Sequence, residues 1–159
     1  MDPLLFNVIL KLRNLNKSQI AKMAGVSRQA VSLWTKKSQI EMRTQNLKKL
    51  ADSLGVKVDD LIRPLPILHE KSSRELYQAS LLWDHLYLSL EDFFVALVKG
   101  ENKALARLVQ VYGIFESANI CGVIIWKKFN AYKAHLHPVR RTQLERIWNL
   151  HEHPELIWP

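Results

Sequence analysis

Twenty residues, Lys17-Ser-Gln-Ile-Ala-Lys-Met-Ala-Gly-Val-Ser-Arg-Gln-Ala-Val-Ser-Leu-Trp-Thr-Lys36, constrain the fold of this chain more than any others. Ala21 is small, as a close crossing of two helices requires. Gly25, four residues later, supplies the left-handed backbone that ends a helix. Val31, six residues further on, points into the angle between the helices, and Ile20, Ala24, Val26 and Trp34 fill the remaining inward positions. Asn16 with Gln19 forms a capping box ahead of the first helix, and Ser27 caps the second. The pattern predicts a helix ending at Gly25, a tight turn, and a helix from Arg28 to about Lys36.

The flanks extend it. Asp2-Pro3 reads as an N-cap with proline at the first helical position, opening a helix to about Asn14. Leu4, Leu5, Phe6, Val8, Ile9, Leu10 and Leu12 make that helix apolar almost all round, so it is expected to be covered on more than one side. Its cover is either the second half of the chain or a partner subunit. Downstream, Thr44 opens a helix with Leu47, Leu50, Ala51 and Leu54 on one face and Gly55 as its stop. A short turn of helix at Val58-Asp59-Asp60-Leu61-Ile62 follows.

The inward set (Ile20, Ala21, Ala24, Gly25, Val26, Val31, Trp34) and the segment Leu47-Lys-Lys-Leu-Ala-Asp-Ser-Leu-Gly-Val-Lys-Val-Asp-Asp-Leu61 resemble the Cro/C1-type, or XRE, helix-turn-helix family. The resemblance covers residues 3–63, about two-fifths of the chain. It implies a five-helix lambda-repressor-like domain whose third helix lies in the DNA major groove. Ser27, Arg28, Gln29, Ser32 and Leu33 are then the base-facing set. Arg28 suits bidentate contact to guanine and Gln29 to adenine. Lys17 is placed to meet phosphate with its charge and with the free backbone N–H groups of its helix end. Lys36, Lys37 and Arg43 add backbone contacts. Lys17 stands where the family usually has Gln, and Thr35 and Lys37 where it often has Glu and Gly. Leu33 replaces a residue that often reads bases with a polar group, leaving it a thymine methyl to touch or an inward turn.

Charge agrees with this placement. Residues 1–68 hold 12 Lys/Arg against 5 Asp/Glu, whereas residues 69–159 hold 11 against 10, so +7 of the net +8 sits beside the motif. A concentrated positive field suits a polyanion. The one cysteine, Cys121, excludes an intrachain disulfide and fits a reducing compartment. No secretory signal and no membrane-length apolar run is visible, so a cytoplasmic protein without a membrane partner is expected.

Arg63-Pro64-Leu65-Pro66 breaks the helical pattern. Residues 1–63 are assigned to the DNA-binding domain, 64–69 to a linker, and 70–159 to an all-helical dimerisation or partner-binding domain. In that last part helices are expected from about Lys71 to Leu88, from Leu90 to Lys99 with Ser89 as cap, from Asn102 to about Lys133 with a break between Gly113 and Gly122, and from Pro138 to near His151. The fold class is all-α: the five-helix head followed by a helical bundle. Trp83, Tyr87, Phe93, Phe94, Leu97, Tyr112, Phe115, Trp126, Phe129, Tyr132 and Trp148 recur at helical spacing, as core or partly as an exposed interface.

Two weaker signals have plainer readings. His135, His137, His151 and His153 flank the last helix, which separates the pairs by about 20 Å at 1.5 Å per residue; no metal or cofactor is expected. Arg146-Ile-Trp-Asn-Leu-His151 fits the loose Arg-x4-His pattern of HEPN nucleases, but the spacing arises easily by chance, and no catalytic residue is assigned. The chain is therefore expected to regulate transcription without being an enzyme. It would bind a palindromic operator as a homodimeric repressor, with double-stranded DNA as its partner. The competing readings are an antitoxin whose C-terminal half binds a toxin and, behind it, a C-terminal ribonuclease.

Overall fold

The computed structural model describes residues 1–36, 40–62 and 71–153, of which 71–74 are described by their backbone. Among these residues all regular structure is helical. The head comprises α1 (Pro3–Leu12), α2 (Lys17–Ala24), α3 (Arg28–Trp34), α4 (Thr44–Leu54) and α5 (Val58–Ile62). Their starts follow local chemistry. Asp2 Oδ1 accepts the Leu4 N–H at 2.7 Å, with Pro3 following it where a missing N–H costs nothing. Asn16 Oδ1 accepts from Ser18 and Gln19 N–H, and Gln19 Oε1 returns the favour to Asn16 N–H at 2.8 Å, completing the capping box. Gly25 and Gly55 end α2 and α4 in left-handed backbone, each at φ 67°.

The head packs around Phe6, Ile20, Val31, Trp34, Leu50 and Leu61, with Phe6 edge-on to Trp34 at 6.1 Å between ring centroids. The second half comprises α6 (Lys71–Leu81), α7 (Leu90–Val98), α8 (Asn102–Tyr112), α9 (Ile114–Cys121), α10 (Ile124–Lys127), α11 (Phe129–Tyr132), a 3-10 turn (Lys133–His135) and α12 (Pro138–Glu152). Phe93, Leu105, Leu108, Ile114, Ile125, Phe129 and Tyr132 are fully enclosed there. Trp148 of α12 stacks on Phe129 and donates its indole N–H to the Trp126 carbonyl at 3.2 Å.

The apolar first helix belongs to both cores. Phe6 is buried in the head, whereas Leu4 and Val8, one turn apart, are buried with α7 in the second core. Of the two covers expected for α1, the chain's own second half is the one observed.

Four boundaries differ from expectation, the first being that α1 stops at Leu12 rather than Asn14. α3 stops at Trp34 rather than Lys36, and Thr35 Oγ donates back to the Ser32 carbonyl. α6 stops at Leu81, not Leu88. Beyond it Asp84 accepts the Leu86 N–H, His85 sits at φ 56°, and Ser89 is extended to cap α7 through Asp92 N–H. Local side-chain bonds to the backbone outcompete helix there. The stretch from Asn102 breaks at both Gly113 and Gly122, and again at Lys128, giving four short helices. The assigned linker, 64–69, and the boundary at Arg63 lie outside the described residues.

Candidate nucleic-acid interface

The α2–α3 corner is built as its sequence demands. Ala21 is buried between the helices, Gly25 reverses the backbone, and the Val26 N–H closes the turn on the Ala21 carbonyl at 2.9 Å. Ile20, Ala24 and Val31 are fully enclosed, Trp34 nearly so, and Val26 is half-buried. This anchors one face of α3 and turns the other outward.

The outward face carries Ser27, Arg28, Gln29, Ser32, Leu33 and Lys36 along one open concave surface. All five residues expected to face bases are therefore brought together, with Lys36 beside them. Leu33 is 58% exposed, so it has not turned inward. Arg28 and Gln29 are exposed, and neither side chain bonds to another described residue. Ser27 already accepts the Ala30 N–H at 3.2 Å as the cap, which leaves its hydroxyl proton and one lone pair to offer.

Lys17 and Arg43 stand outside that surface, at the starts of α2 and α4. One expectation for Lys17 is corrected. The N–H groups of Ser18 and Gln19 are occupied by Asn16, and that of Ile20 by the Asn16 carbonyl. The capping box thus leaves its side-chain charge and its own N–H for an anion, rather than an open helix end. Lys37 lies outside the described residues. A cation that sequence reasoning missed sits at the corner itself: a Cβ built on Gly25 would lie 3.4 Å from Lys49 Nζ. Nothing local in sequence pairs Lys49 with that turn; only the packing of α4 on α2 does.

In the second half, His151 lies flat on Trp126, ring centroids 3.9 Å apart, with Nδ1 3.3 Å from Glu152 Oε1. Arg146 and His151 are both exposed on α12. No group of three or more His, Cys, Asp or Glu among the described residues is placed to hold a metal ion. Of the recurring aromatics, Phe93, Phe94, Phe129 and Tyr132 are core, whereas Trp83 and Phe115 are exposed. No described helix is long and apolar enough to cross a membrane.

A short α2, a left-handed glycine corner and an outward polar α3, closed by α4 and α5, define a helix-turn-helix DNA-binding head. A family model for the Cro/C1-type HTH DNA-binding domain matches residues 6–66. The N-terminal part of the chain is a Cro/C1-type helix-turn-helix domain, and the match ends before α6. Neither a curated protein nor a solved structure matches the chain.

Proposed function

We propose that this protein is a transcriptional repressor that reads a palindromic operator as a homodimer and acts by binding, not catalysis. The observation that carries the reading is the α3 surface: Arg28 and Gln29 stand on it exposed, with no side-chain bond to another described residue. Arg28 would pair with a guanine edge, Gln29 with adenine, and Leu33 with a thymine methyl. Ser27 and Ser32 complete the base-facing set, and Lys17, Lys36, Lys37 and Arg43 hold phosphates. One such head makes few base contacts. Two heads on half-sites about 34 Å apart combine their binding free energies. Exposed apolar side chains on the second half, Phe115, Val123 and Val139 among them, support its role as the pairing or partner-binding part.

The test is DNA selected from a random pool by the full chain, followed by affinities and the mass of the complex. Arg28→Ala is expected to cost about 1–3 kcal/mol and relax one base position. Lys17→Ala should weaken binding to all sequences and lower the salt dependence. Unchanged affinity in both variants would remove the α3 assignment, and a complex containing one chain per selected site would remove the dimer.

A further inference from the structure

Lys49 is a cation of the head that the helix-turn-helix motif does not account for. It stands midway along α4 and reaches back over the α2–α3 corner. A Cβ built on Gly25 would lie 3.4 Å from its Nζ and 3.5 Å from its Cδ. The side chain therefore lies across a residue that has no side chain of its own, where α2 ends in left-handed backbone. Lys49 is exposed, and its ammonium has no hydrogen bond or ion pair with another described residue.

The attraction available to it within the protein is the negative end of the α2 dipole. Yet the Ala21 and Lys22 carbonyls there already accept from the N–H groups of Val26 and Gly25, and Lys49 bonds to neither. An ammonium has three donors, and all three remain for an acceptor from outside. The distance to the base-facing set is short. Ser27 lies two residues beyond Gly25, and two trans peptides span at most about 7.6 Å between Cα atoms. Lys49 Nζ is thus within about 13 Å of the Ser27 Cα. A major groove about 12 Å wide and about 8.5 Å deep puts its phosphate rims about 10 Å from the base edges. The ammonium stands at the distance of a rim. Lys17, at the other end of α2, is about 10 Å away along the helix axis, too far to share one phosphate.

We propose that Lys49 binds a DNA backbone phosphate across the α2–α3 corner, separate from the phosphate that Lys17 meets. The bare Gly25 keeps the path of the ammonium clear. A flexible point charge without a planar fork suits phosphate rather than a base edge. The contact presupposes that α3 enters the major groove, as proposed above.

The test is the affinity of the full chain for selected and unselected duplexes between about 50 and 200 mM salt. Lys49→Gln keeps most of the stem and removes the charge. Its slope of log affinity against log salt should fall by about 0.9, and its affinity at about 0.1 M salt roughly fivefold to tenfold. Both duplexes should lose alike, because a phosphate carries no sequence. Lys48→Gln, at an exposed neighbour that Gly25 does not meet, should change neither quantity. The thermal midpoint of Lys49→Gln should match that of the parent chain. An unchanged slope in Lys49→Gln, an equal drop in Lys48→Gln, or a loss confined to the thermal midpoint would each overturn the proposal. If Arg28→Ala still weakens binding in any of these cases, the α3 assignment stands without Lys49. Absence of salt-dependent binding by the parent chain to any duplex would remove both.

Discussion

Lys11 Nζ lies 2.6 Å from Asp92 Oδ1, joining the first helix of the DNA-binding head to the first turn of α7. The same carboxylate accepts the Ser89 hydroxyl through its other oxygen at 2.7 Å. Hydrogen bonds from Lys11 and then Ser89 hold the Asp92 carboxyl below its ordinary value of 3.8, against a weaker upward push from burial. The folded state thus gains stability from ionised Asp92 above about pH 4 and loses it as pH falls through the lowered folded value. Both side chains are more than a third exposed, so the pair is worth no more than about 1 kcal/mol. Asp92→Asn is expected to lower stability slightly at neutral pH and to flatten the acid limb of a urea-midpoint profile. An unchanged acid limb would mean that the pair does not persist in solution.

Tyr132 is fully enclosed, and its hydroxyl has no partner among the described residues. Burial pushes its phenol well above the ordinary value of 10. Removing the oxygen leaves the ring packing against Phe129 intact. Tyr132→Phe should therefore be neutral or stabilising by up to about 1 kcal/mol. Phe129→Ala, which removes a ring from the same core, should cost about 3–5 kcal/mol. Equilibrium denaturation of both variants checks the contrast.

Gly25 and Gly55 share a φ of 67° but not their surroundings. An added Cβ meets nothing within 4 Å at Gly55, and only the far end of the flexible Lys49 side chain at Gly25. Both alanine variants should then lose about the same, roughly 1–2 kcal/mol, from backbone strain alone. A much larger loss for Gly25→Ala in thermal unfolding would show that Lys49 is held firmly over the turn.

Leu33 is exposed on α3 with no packing role that its burial reveals. Leu33→Gln should leave stability within about 0.5 kcal/mol. On the operator-binding reading it should also replace a preference for thymine at one position of the selected sites. Identical selected sequences for the two proteins would place Leu33 away from the bases.

The head was legible because its rules are local. Asn16, Gln19, Gly25 and Gly55 each act within four residues, and the inward spacing from Ile20 to Trp34 repeats a helical period. The second half was harder for a physical reason. Nothing in the run from Leu82 to Leu88 announces that Asp84 will spend its carboxylate on Leu86 N–H and on Arg107, 23 residues away. The apolar stretch after Asn102 has helical periodicity throughout, so only the packing around Gly122 and Lys128 shows where it divides. At the candidate interface the five α3 residues followed from the motif. Lys49 did not, because its place beside the turn depends on how α4 lies on α2.

Leu4 and Val8, with the partly buried Leu12 beside them, complete a core whose other described members lie beyond Lys71. The connection between the halves is therefore double, once along the backbone and once through α1 acting as a splint. Residues 1–62 excised alone would carry a bare apolar stripe, and residues 71–159 alone would have an open slot. The head is consequently not a cassette that can be transplanted onto another protein. A protease site engineered between Ile62 and Lys71 offers the measurement. After cutting, the two fragments should stay together on a sizing column and separate more readily in Leu4→Ala, each acting as the other's missing piece.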